Sequence, residues 1–121
     1  MAVSAVRGAT IARDNSPEAI WDATAELVQA IVDQNGITVD EVVAAFFTMT
    51  PDLDAAHPAY AARRLGWTEV PLIGAVETAV PGMPGRMIRV LVEVERPVRE
   101  RLTPVYLHGT IALRPDLRSE G

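Results

Sequence analysis

Along "GRMIRVLVEVE", residues 85–95, Ile88, Val90, Val92 and Val94 alternate with Met87, Arg89, Leu91, Glu93 and Glu95. A period of two sends successive side chains to opposite faces, so the stretch predicts a strand with one wholly apolar face and one mixed face that carries a permanently charged arginine. "AVSAVRGATIA", residues 2–12, repeats the arrangement, with Arg7 on the face made by Val3, Ala5, Ala9 and Ile11. The pattern then changes period. Ile20, Thr24, Leu27 and Ile31 recur at helical spacing, with Asp22, Glu26, Gln29 and Asp33 on the opposite side. Ser16 before Pro17 and Glu18 supplies a capping oxygen, a proline where the helix needs no N–H, and an acid at the positive end of the dipole; Asn35-Gly36 supplies the stop. One long helix with a single covering stripe is expected between those signals.

"TVDE", residues 38–41, has the spacing of a capping box and predicts a short helical turn ahead of "VVAAFFTMT", a second strand that Pro51 ends. In "HPAYAARRLGW" Pro58 opens and Gly66 closes a short helix with Arg63 and Arg64 in its last turn. "EVPLIGAVE" reads as a strand with Gly74 as a possible bulge, "VPGMPG" as a turn, and "PVYLHGTIALRPDL" as a brief extended piece followed by an irregular tail from about residue 114. The order β-α-β-α-β-β-β without linker or repeat predicts a single α+β domain over residues 1–121, a mixed β-sheet covered on one face by the long helix. The other face needs a partner, and a neighbouring subunit is the economical one.

Composition alters this picture chiefly by exclusion. With 121 residues, 11 arginines, no lysine and 16 acids, the chain has a net charge of −5 and is a poor match for nucleic acid, whose phosphates require a basic face. Cysteine is absent and the two histidines lack nearby ligand pairs, so neither disulfides nor a zinc site is expected. No apolar run approaches membrane-spanning length and no signal segment opens the chain, which makes a cytoplasmic protein the expectation. Apolar residues reach 49%, in keeping with a buried subunit interface.

The two strand arginines are the candidate chemistry. A single Arg89 would be read as a rim residue, snorkelling or paired with Glu93 or Glu95. Two arginines on flanked strand positions suggest a shared anionic guest or a shared carboxylate, because a desolvated guanidinium needs anions and hydrogen bonds, and its donor fork fits a planar carboxylate.

Five blocks carry a resemblance: "AVRGAT", "TPDLDAAHPAYAARRLGW", "VPLIGAVE", "RMIRVLVEV" and "PVYLHGTIALRPDL", in that order over nearly the whole chain. Together they resemble the monofunctional AroH-type chorismate mutases. The resemblance implies a homotrimer of pseudo-α/β barrels with sites at subunit interfaces, and the cofactor-free, metal-free rearrangement of chorismate to prephenate. It implies that Arg89 contacts the breaking ether oxygen and that Glu77 accepts from the ring hydroxyl and faces the developing positive charge. It further implies that Arg7 and Tyr106 bind carboxylates, that Leu72, Ile73 and Gly74 wall the pocket, and that Arg63 and Arg114 stand near its mouth. His57, Tyr60 and Pro104 depart from the family pattern around the mouth and leave its central charges intact. The alternative reading is a trimeric module that binds a small carboxylate without transforming it. Glu77 discriminates, since a carboxylate opposite two arginines adds little to anion binding but suits a charge-separating transition state.

Overall fold

The N-terminal alternation forms strand β1, Ala2–Ile11, in a computed structural model that describes residues 1–113. Helix α1 follows at Pro17–Asn35, with the Ser16 hydroxyl accepting from the Ala19 N–H at 3.2 Å and Gly36 closing it in the left-handed region at φ 59°. Glycine adopts that conformation without the steric cost a Cβ would add, which is why the stop falls there. Ile20, Thr24, Leu27 and Ile31, the predicted stripe, are all fully buried. Thr24 can sit there because its hydroxyl donates back to the Ile20 carbonyl at 2.7 Å. The expected turn at Val39–Glu41 is a short 3₁₀ piece, with the Thr38 N–H donating to Glu41 at 2.9 Å.

Strand β2 spans Val42–Met49, helix α2 Ala59–Arg64, and strands β3, β4 and β5 span Leu72–Val76, Met87–Arg96 and Val105–Tyr106; a last 3₁₀ turn covers Thr110–Leu113. The five strands form one mixed sheet in the order β3-β2-β4-β1-β5. β4 is antiparallel to both β1 and β2, while β3 and β5 add parallel edges. The expected bulge at Gly74 is absent. Gly74 pairs in regular register with Phe47, and the irregularity falls instead between Val42 and Ala44 on β2. Among the described residues, no helix is long and apolar enough to cross a membrane.

One face of the sheet packs on α1. Val6, Phe47, Val90, Val92 and Val94 meet Leu27, Val28 and Ile31, while Ala62 and Trp67 place α2 on this same side. At Gly8 the helix comes closest. A Cβ there would stand 2.8 Å from Ile31 Cδ1, 3.0 Å from Leu27 Cδ1 and 3.1 Å from the Val105 carbonyl. Gly8→Ala should therefore cost about 1–3 kcal/mol through overpacking, lowering Tm by several degrees in a thermal melt. An unchanged Tm would mean that the helix shifts freely and that its seat does not depend on this contact.

The opposite face is open. Val3, Phe46 and Ile73 are 47, 42 and 61% exposed there, in the one layer that no helix of the described chain covers. β4 enters that face at a fixed height. Thr50 donates its hydroxyl to Asp52 at 2.6 Å and accepts from the Met87 N–H at 3.0 Å, while Asp52 takes the Arg86 N–H on both oxygens at 3.1 and 2.9 Å. These bonds, that from Thr50 foremost, hold the Asp52 carboxyl below its usual range and accommodate the unusual positive φ of 52° at Arg86. Arg89 lies three residues further on.

Candidate active site

Strand register decides which side chains meet. Arg89 pairs across the sheet with Ala9 on β1 and Thr48 on β2; Ala9 pairs in turn with Tyr106, and Thr48 with Ala75. Ala75, Thr48, Arg89, Ala9 and Tyr106 thus form one row on the open face. The adjacent row is Ile73, Phe46, Leu91 and Arg7. Arg7 is therefore the diagonal neighbour of Arg89, a relation that sets residues on one face roughly 7 Å apart. Both arginines help line a concavity of about 540 Å³, together with Phe46, Thr48, Glu77 and Leu91 and with Val80 and Met83 of the β3–β4 connection.

Glu77 stands one residue beyond β3, its N–H donating to the Met49 carbonyl at 2.8 Å. Arg89 Nε lies 3.1 and 3.0 Å from its two oxygens, and the Arg89 Nη2 donates to Oε1. Thr48 Oγ1 donates to Oε2 at 2.7 Å. The carboxylate that Arg89 meets is thus Glu77, which Arg7 does not share, and the pairing of Arg89 with Glu93 or Glu95 does not form. The ion pair is asymmetric. The Glu77 side chain is 8% exposed and the Arg89 side chain 45%. Burial pushes the Glu77 carboxyl up, but bonds from Arg89 and Thr48, with the arginine's charge, outweigh it and leave the group below the usual glutamate range. Arg89 is held more firmly protonated, chiefly by its bond to Glu77.

Arg7 differs from Arg89. It is exposed, and among the described residues no hydrogen bond or ion pair engages it. The site thus offers one cation neutralised by a fixed carboxylate and a second, diagonal to it, with open donors. Tyr106 is half-buried at the end of the Arg89 row, on the same face but outside the residues that line the concavity. This set can grip an anionic guest on one flank and present both a cation and a carboxylate to its middle. Among the described residues, no group of three histidine, cysteine, aspartate or glutamate side chains is placed to hold a metal.

The other expected site residues lie apart from this concavity. Arg63 stands in the last turn of α2 in the helical layer, on the far side of the sheet; its neighbour Arg64 stacks over Trp21 and Tyr60, 6.0 and 5.8 Å from their ring centres. Leu72 packs against the core, whereas Ile73 and Gly74 are exposed on edge strand β3, outside the lining. Arg114 lies outside the described residues. Thr48 is the member that sequence reasoning passed over, although the alternation of "AFFTM" already put it on the face of Phe46.

Residues 3–117 match the model of the family described as chorismate mutase type I. A chorismate mutase AroH of Thermus thermophilus is 44% identical over 120 residues, which are 97% of this chain and 98% of that one. A chorismate mutase AroH of Bacillus subtilis (strain 168) is 36% identical over 119 residues, 97% of this chain and 94% of that one. The solved structure of a chorismate mutase from Clostridium thermocellum superposes with a TM-score of 0.85 at 38% identity, covering 89% of this chain and 97% of the other.

Proposed function

The chain belongs to the chorismate mutase type I family, and from that premise we propose how its residues divide the work. The protein is an isomerase that converts chorismate to prephenate, a step of aromatic amino acid synthesis. In that reaction a C–O bond of the enolpyruvyl ether breaks as a C–C bond forms within the same molecule, so no nucleophile or transferred proton is required. What a protein can supply is confinement of the compact conformer and stabilisation of the charge that separates as the ether opens.

The ion pair carries this reading. Glu77 occupies Nε and one edge of the Arg89 guanidinium, which leaves the remaining donors to point at the ether oxygen as it gains negative charge. The same carboxylate faces the ring as it becomes electron-poor and accepts from its hydroxyl. Arg7 and Tyr106 take the substrate's carboxylates on the open flank. Arg63 and the Leu72–Gly74 edge, which stand outside the concavity of their own chain, serve the site of a neighbouring subunit in a homotrimer; Arg114 serves its entrance. The 45% exposure of Arg89 in one chain supports this assembly, because a preorganised cation acts best where water is excluded. The exposed Val3, Phe46 and Ile73 supply the apolar surface to be covered.

The pH dependence of turnover tests the arrangement. Glu77 acts ionised, and its folded carboxyl titrates below the ordinary value of 4.5. Since the folded pKa is depressed, the ionised form is fully present above the ordinary value and is lost only as pH falls through the folded one. Loss of chorismate absorbance, followed with purified protein in buffer without added metal, should give a kcat/KM that stays level down through the ordinary glutamate pKa and declines only beneath it. Binding of chorismate without its disappearance would favour the non-catalytic module, and an acid limb above 4.5 would mean that the group on which turnover depends is not a glutamate held below its usual range.

A further inference from the structure

We propose that Thr48 is a positioning residue for the rearrangement, its hydroxyl fixing the Glu77 carboxylate so that Arg89 keeps donors free for the substrate. This inference rests on the assignment of Glu77 above. Glu77 lies past the end of edge strand β3, and beyond its own N–H contact with Met49 the backbone does not determine where its carboxylate points. Arg89 alone does not determine it either. A guanidinium and a carboxylate facing each other can adopt the two-pronged pairing that engages Nη1 and Nη2, the donors most useful to a ligand.

The observed contact is side-on, through Nε and Nη2, and Thr48 explains its persistence. The hydroxyl donates to Oε2 at 2.7 Å from the strand between β3 and β4, on the same row as Arg89. Thr48 is half-buried and β-branched on a paired strand, so its χ1 is confined and the hydroxyl is held without a further partner. It thus anchors the oxygen nearest Nε, and Oε1 is left to share between the arginine and a guest. The bond also favours the ionised carboxylate, in keeping with the depressed pKa of that group. Among the described residues its hydroxyl bonds Glu77 and no other side chain, so it acts on the reaction through that carboxylate.

Thr48→Val keeps the shape and removes the hydroxyl, whereas Thr48→Ser keeps the hydroxyl and removes a methyl group. A hydrogen bond to a charged group corresponds to about 10- to 100-fold in an equilibrium, so Thr48→Val should lower kcat by about 10-fold with KM changed less, and should move the acid limb of kcat/KM upward. Thr48→Ser should restore both. In a Glu77→Gln background the valine substitution should have little further effect, because the group it positions is gone. A normal kcat and unmoved limb in Thr48→Val, or a serine variant as impaired as the valine one, would overturn the positioning role while leaving Glu77 standing. Normal kcat in Glu77→Gln alone would instead overturn the assignment of Glu77 on which the inference rests.

Discussion

Arg89→Ala is expected to lower kcat by about 10² to 10³-fold while raising KM far less, the loss seen when one preorganised donor to a developing oxyanion is removed. The asymmetry follows from the chemistry. In bound chorismate the ether oxygen is a weak acceptor, and only as the C–O bond stretches does it gain the charge that a guanidinium stabilises, so the interaction belongs mainly to the transition state. The carboxylate binding proposed for Arg7 and Tyr106 should be untouched by the substitution. Arg89→Lys should recover only part of the rate, since an ammonium that stays paired with Glu77 cannot also present a second, rigidly placed donor edge. The control is structural. Removing Arg89 deprives the largely buried Glu77 of its counter-charge, so the melting temperature and a sedimentation profile of each variant should accompany the kinetics. A folded, assembled Arg89→Ala protein with near-normal kcat would reduce Arg89 to a structural partner of Glu77.

Much of the fold was legible because it is written in local signals. Ser16 and Gly36 bracket α1 as their conformational preferences require, and the alternation in 2–11 and 87–96 assigns the faces of β1 and β4. The sheet order was not legible. Nothing local tells the N-terminal strand to pair with residues 87–96, since that choice is made by the burial of Val6, Val90, Val92 and Val94 under α1, a contact between distant segments. The bulge falls away from its expected place for a similar reason: Gly74 merely permits irregularity, whereas the offset at Val43 arises where β2 leaves the 3₁₀ turn and enters its register with β4.

The site divides along the same line. Periodicity placed Arg7 and Arg89 on one face, but it could not name the carboxylate that Arg89 meets. Glu77 reaches Arg89 from an edge strand two places away in the sheet, with Thr48 on the strand between, so the pair exists only once β3, β2 and β4 are ordered. The roles of Glu77, Tyr106 and Arg63 came from resemblance, not from spacing. Arg7 and Arg89 line one concavity of one chain, so variants disabled at these two positions should not rescue each other.

Rescue is expected instead between Arg63 and Arg89. Arg63 projects from α2 in the helical layer, while the concavity opens on the opposite face of the sheet, so within one chain the sheet itself separates them. If Arg63 guides the dianion into the site of an adjoining subunit, Arg63→Ala should lower kcat/KM by about 10-fold or more at low salt, mainly through KM, and Arg89→Ala should lower it through kcat. Co-refolded or co-expressed chains in equal amounts would assort at random, so that each mixed trimer has one interface, and the whole population about a quarter of its interfaces, joining an intact concavity to an intact Arg63. At chorismate concentrations well below the KM of Arg63→Ala, such mixtures should turn over substrate faster than the sum of the two separate variants, and the gain should vanish when the variants are mixed without subunit exchange. Native mass spectrometry would verify that mixed trimers formed. Verified mixed trimers without any gain would place Arg63 outside its neighbour's site, and a fully active monomer in sedimentation would remove the shared site altogether.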